Sequence, residues 1–120
     1  MKVIKIDQVT RESHPGPLFT GPVTMQPIVG KELSEKLLVT QVNFGAGVRN
    51  KFHSHTVEQV LIVTEGKGIV ATEKEETNVV PGDVIFIPPG EKHWHGAVNG
   101  QVFSHLFVMS PGSKTTQLED

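Results

Sequence analysis

Twelve glycines and eight prolines cut this 120-residue chain into short lengths. The breaks read HPGP, TGP, FGAG, EGKG, VPGD, PPGEKH, VNG and SPG. Between them lie runs rich in Val, Ile, Phe and Thr. Many short runs of this kind, each closed by turn residues, point to an all-β sandwich or barrel. Strands are expected at residues 22–29, 37–44, 53–64, 68–73, 76–80, 83–88, 93–98 and 102–109. In LLVTQVNF, one face carries Leu38, Thr40, Val42 and Phe44. In QVFSHLFVM both faces are largely apolar, as expected of a strand covered on both sides. Helix signals are weak. VGKELSEKLL allows one turn or two, and TEKEET, polar on every side, reads as a hairpin tip.

The length suits one domain with its own core. The expected layout is an N-terminal strand or arm over residues 1–21, starting with the strand-like KVIKI, a barrel over 22–109 and a flexible tail over 110–120. Cysteine is absent, which removes disulfides, thiolate ligands and cysteine nucleophiles. That composition fits a cytoplasmic protein. The formal net charge is −2 with both signs interspersed, so no basic stripe offers a nucleic-acid surface. The opening MKVIKIDQVTRESH alternates apolar with charged residues, unlike a signal peptide, and no window is apolar enough to suggest a membrane partner.

Four of the six histidines form two His-x-His pairs, His53/His55 and His93/His95. Residues two apart on a strand share a face, about 7 Å apart along it. His53 and His55 therefore project together, and neutral imidazoles suit a transition metal. Continuing the parity places Val57, Gln59, Leu61 and Val63 on the same face and Glu58 on the other. A bulge would reverse this.

The spacing Gly47, five residues, His53-x-His55, three residues, Gln59, six residues, Gly66 resembles the first motif of the cupin family. Gly82, five residues, Pro88-x-Gly90, two residues, His93 resembles the second, with Ala97 where that motif carries Asn. Fifteen residues separate the two. The resemblance spans residues 37–109 and implies a single-domain cupin jelly-roll β-barrel. It also implies His53, His55 and His93 as metal ligands, with Gln59 where the family usually has Glu. The cofactor implied is a divalent transition metal: Mn, Fe, Ni or Zn. With four neutral donors the ion would keep its full charge, bind less tightly than at a carboxylate site and draw anionic oxygen more strongly. The strings LIVTEGKG, PPGEKHWHGA and SHLFV further resemble cupins related to, or fused with, carboxymuconolactone decarboxylase-like proteins.

Other residues have competing readings. His95 shares the parity of His93, and His105 lies between Phe103 and Phe107. Each is a candidate acid or base if it faces the cavity, and a satisfied core histidine if it does not. Phe44, Phe52, Phe86, Phe103 and Phe107 are expected in the core or cavity wall, with Phe44 and Phe103 as candidate substrate contacts. Arg49 is a candidate partner for a substrate carboxylate, against an exposed loop arginine. Trp94 has the opposite parity and is expected on the outside or in a contact between subunits. The function expected is a metal-dependent enzyme acting on a small organic acid, enol or sugar-derived substrate by isomerase, lyase, hydrolase or dioxygenase chemistry. The alternative is a non-catalytic ligand-binding or sensor cupin. The partners expected are a small molecule and a second copy of the chain, as a homodimer.

Overall fold

A computed structural model describes all residues, 1–120. Eleven strands form two antiparallel sheets. The first has the order β1-β2-β3-β10-β5-β8, built from Glu12–Ser13, Val23–Val29, Leu38–Phe44, Phe103–Met109, Gln59–Gly66 and Val84–Ile87. The second has the order β11-β4-β9-β6-β7, built from Thr115–Gln117, His53–His55, His93–Ala97, Gly68–Thr72 and Glu76–Val79. Their facing sides enclose an apolar core that includes Val23, Val42, Phe44, Val63, Val79 and Phe103. This is the jelly-roll arrangement. No helix is long and apolar enough to cross a membrane.

The expected strands are present, with one break that matters. Residues 53–64 do not form one strand. Residues 56–58 leave the ladder, and the chain passes from the second sheet (β4) to the first (β5). Alternation nevertheless resumes in phase: Gln59, Leu61 and Val63 are buried, while Val60, Ile62 and Thr64 are less so. In β8 both faces are apolar, and the inward side belongs to Ile85 and Ile87. Phe86, expected in the core, is 58% exposed.

The two ends differ from expectation. KVIKI forms no strand, and its last residue opens a 3-10 turn at Ile6–Gln8. It joins no ladder, and the leader is held instead by the Gln26 amide, which donates to the carbonyls of Ile6 and Val9 at 2.9 Å. The tail is docked: Thr115–Gln117 pairs with β4, and backbone hydrogen bonding rather than apolar burial holds it. VGKELSEKLL makes turns and no helix, and TEKEET caps the β6–β7 hairpin as expected.

The motif glycines Gly47, Gly66, Gly82 and Gly90 all have positive φ. At Gly66 (φ 75°) a Cβ would also run into the Val102 carbonyl. We therefore expect Gly66→Ala to destabilise the fold by about 2–4 kcal/mol, from backbone strain plus overpacking. Urea unfolding checks this, and a loss below about 1 kcal/mol would show that the β5–β6 turn relaxes freely.

Candidate metal centre

His53 and His93 face each other across the β4–β9 ladder, and His55 follows two residues along β4. Their ring centroids lie 4.3 Å (His53–His93), 4.9 Å (His53–His55) and 5.5 Å (His55–His93) apart. One ring nitrogen from each falls within 4.8 Å of the others. The Nδ1 atoms are all engaged on the outside of this group. His53 Nδ1 donates to the Lys51 carbonyl at 2.7 Å, His93 Nδ1 to the Glu91 carbonyl at 2.8 Å, and His55 Nδ1 meets Thr115 Oγ1 at 2.9 Å. A proton held on Nδ1 leaves Nε2 as a bare lone pair. The Nε2 atoms of His55 and His93 are buried without a partner.

Gln59 enters from the other sheet. Its Nε2 reaches the Met109 sulfur at 3.7 Å, and its Oε1 is buried with no partner. Unsatisfied buried acceptors are costly in a native protein. Two of them belong to imidazoles close enough to share one ion, and the third is an amide oxygen of a residue lining the same cavity, a donor set that fits a divalent metal held by nitrogen and oxygen. Val57, between the two strands, is half-buried, and Glu58 is exposed.

Burial, followed by the neighbouring His93, lowers the pKa of His53 to about 3 and that of His55 to about 4. Burial also lowers His93, takes His95 well below the ordinary imidazole value, and brings His105 to about 4. All five rings are therefore neutral at pH 7, the state a metal ligand requires.

Behind the triad lies a polar chain. Asn50 Oδ1 accepts from the His95 backbone N–H at 2.8 Å, which orients the amide and directs its Nδ2 at His95 Nε2, 3.2 Å away. With Nε2 accepting, the neutral His95 carries its proton on Nδ1 and donates it to His105 Nε2 at 3.0 Å. His105 then holds its own proton on Nδ1, against the Leu106 backbone and without a well-formed hydrogen bond.

A cavity of about 430 Å³ opens onto this arrangement. His53, His55, Gln59, His95 and His105 line one side, and Met25, Val42, Phe107 and the leader segment His14–Phe19 line the rest. A smaller cavity of about 180 Å³, between β6, β7 and β8, reaches His93 and His95 from the opposite side.

Three of the candidate contacts lie elsewhere. Phe44 and Phe103 are core residues stacked behind His105 and do not line the larger cavity. Arg49 points away from it: its Nη2 donates to both Glu119 carboxylate oxygens at 2.6 Å, and its guanidinium sits 4.5 Å from the centre of the outward-facing Trp94 ring. Gly96 makes room for this, since a Cβ there would strike Arg49. Asn50, Met109, Thr115 and the leader were not singled out from the sequence. Of these only Asn50 stands inside a motif, between Gly47 and His53.

Residues 40–110 match the cupin domain family. The chain is 33% identical over 109 residues to the (R)-mandelonitrile lyase of Granulicella tundricola, a match that covers 90% of this chain and 83% of that enzyme. A cupin-like protein from Thermotoga maritima is 30% identical in sequence and superposes with a TM-score of 0.85, covering 95% of this chain and 90% of that one. The polyketide cyclase RemF from Streptomyces resistomycificus is 22% identical and shares the fold, with a TM-score of 0.89 over 98% of this chain and 85% of that one. This chain belongs to the cupin family.

The lowered pKa values carry a stability consequence. In the metal-free protein, acidification below about 6.5 protonates these histidines in the unfolded chain before it protonates them in the folded one. Folding stability is thus greatest above pH 6.5 and declines through the window from 6.5 towards 4 and 3. The urea midpoint of metal-free protein should fall steadily from pH 7 to pH 4.5, whereas a flat profile would contradict the burial of these rings as neutral species.

Proposed function

We propose that this chain is a metal-dependent lyase that interconverts an α-hydroxynitrile with a carbonyl compound and hydrogen cyanide. The observation that carries this reading is the meeting, around one cavity, of a neutral metal-ligand set and a buried, hydrogen-bonded histidine pair, His95 and His105. The Granulicella relative, named as an (R)-mandelonitrile lyase, narrows the chemistry from the wider class of small organic acids, enols and sugar-derived substrates to hydroxynitriles. The ligands assigned are His53, His55, His93 and Gln59. Bound there, a Mn, Fe, Ni or Zn ion would act as a Lewis acid toward a substrate oxygen.

The chain's own residues supply the rest. A cavity of this size admits an aryl or alkyl hydroxynitrile, with Met25, Val42 and Phe107 as its apolar walls. His105 Nδ1–H is assigned as the donor to the nitrile group as the carbon–carbon bond breaks and negative charge gathers on cyanide. His95, donating to His105 Nε2, holds that proton on Nδ1. His105 gives its Nδ1 proton to the departing cyanide and takes up the hydroxyl proton in its place, so atoms and charge balance. Phe44 and Phe103 keep His105 in place from behind.

Two finer readings accompany this one. The motif strings support a place among cupins related to carboxymuconolactone decarboxylase-like proteins. A homodimer is supported by the exposed apolar side chains Val80, Val84 and Phe86 on and beside the edge strand β8; light scattering should give twice the chain mass.

Purified protein is expected to carry about one transition-metal ion per chain by elemental analysis, and His53→Ala to lose it. Metal-loaded wild type should release aldehyde from mandelonitrile, and His105→Ala should do so about 100-fold or more slowly at unchanged metal content. Equal turnover in the two proteins would remove His105 from the reaction. Metal binding with no turnover on hydroxynitriles, organic acids or sugar-derived carbonyls would favour the ligand-binding alternative.

A further inference from the structure

We propose that residues 113–119 form a strap that sets His55 as a metal ligand, and that strap docking and metal binding reinforce each other. The inference rests on the metal reading above and adds a positioning residue, Thr115, to it. Two of the three imidazoles are oriented locally. His53 and His93 each donate Nδ1–H to a carbonyl two residues earlier in the chain, from Lys51 and Glu91. His55 has no such carbonyl. Its Nδ1 finds its partner 60 residues away, in the hydroxyl of Thr115. With that hydroxyl accepting, His55 keeps its proton on Nδ1 and presents the Nε2 lone pair inward. Without it, the ring has no other hydrogen bond to select this tautomer.

Thr115 is placed by a short ladder in which Thr115, Thr116 and Gln117 stand opposite His55, Ser54 and His53. Both ends of the ladder are tied. Thr56 N–H donates to the Lys114 carbonyl at 3.1 Å, and Lys114 N–H donates to Thr56 Oγ1 at 3.0 Å. At the far end Leu118 N–H donates to the Phe52 carbonyl at 2.8 Å, and the Glu119 carboxylate accepts from Phe52 N–H at 2.8 Å and from Arg49. All three residues of β11 are exposed. The strap is therefore held by hydrogen bonds and one ion pair, with little apolar burial, which is the condition for local detachment well below the global unfolding free energy.

A docked strap favours the ligand form of His55, so a bound ion must favour the docked strap by the same factor. This assigns a purpose to Arg49: it anchors, through Glu119, the segment that orients a ligand.

The test titrates Zn²⁺ into full-length wild type, Thr115→Val, Thr115→Ser and Glu119→Gln. Thr115→Val, an isosteric change at an exposed site, should weaken Zn²⁺ binding about 10- to 100-fold, the range for loss of a hydrogen bond to a metal-bound histidine. Thr115→Ser restores the hydroxyl and should bind like wild type. Glu119→Gln, which touches no ligand, should weaken binding in the same direction. In the wild type, Zn²⁺ should slow hydrogen exchange at the Leu118 amide. Zn²⁺ binding by Thr115→Val as tight as by wild type overturns the strap inference and leaves the metal centre standing. Wild type that binds no Zn²⁺ overturns both.

Discussion

Two backbone carbonyls, of Lys51 and Glu91, decide what the middle of this barrel can hold. Each captures the outer nitrogen of a histidine and leaves the inner one bare. Five neutral imidazoles crowd together in the interior, and the usual outcome of such crowding would be a charge or a void. Here burial keeps the rings neutral, and the outward hydrogen bonds of His53, His55 and His93 leave their inner nitrogens facing one another. Everything near them is arranged in consequence. The cavity lies on one side, the aromatic packing of Phe44 and Phe103 behind, and the amide of Asn50 controls the tautomer of the second histidine pair.

The reason for glutamine at position 59 follows from the same logic. A carboxylate would bring a charge into a group whose other members are held neutral, and it would leave no N–H for Met109. The amide divides its work: one end satisfied by sulfur, the other left as an acceptor among imidazole lone pairs. An ion at such a centre would be the one full charge in an otherwise uncharged pocket, where its field acts on a substrate without competition from its ligands.

Most of the fold was legible because turn residues and strand periodicity are local signals. The positive-φ glycines mark the motif boundaries, and the alternation in QVLIVTEG puts Gln59 inside even though the strand expected to carry it is broken at residues 56–58. What escaped had no local signature. KVIKI alternates like a strand, yet a strand also needs a partner edge within reach of the chain, which alternation does not report. Thr115 sits in a polar stretch indistinguishable from a frayed tail, and its meaning lies entirely in a partner 60 residues away. Arg49 looked available to a substrate because its own neighbours say nothing of Glu119. In DVIFI the parity was plain, but the choice of buried face was not, since Val84 and Phe86 are as apolar as Ile85 and Ile87.

The break at residues 56–58 has a mechanical side. His53, His55 and His93 ride on one sheet, while Gln59 rides on the other. An ion gripped by all four would rivet the sandwich shut, and any breathing that parts the layers would load a single joint, the amide oxygen, before disturbing the three nitrogens. Such a centre would be a clasp between the layers, three of its points on one sheet and one on the other.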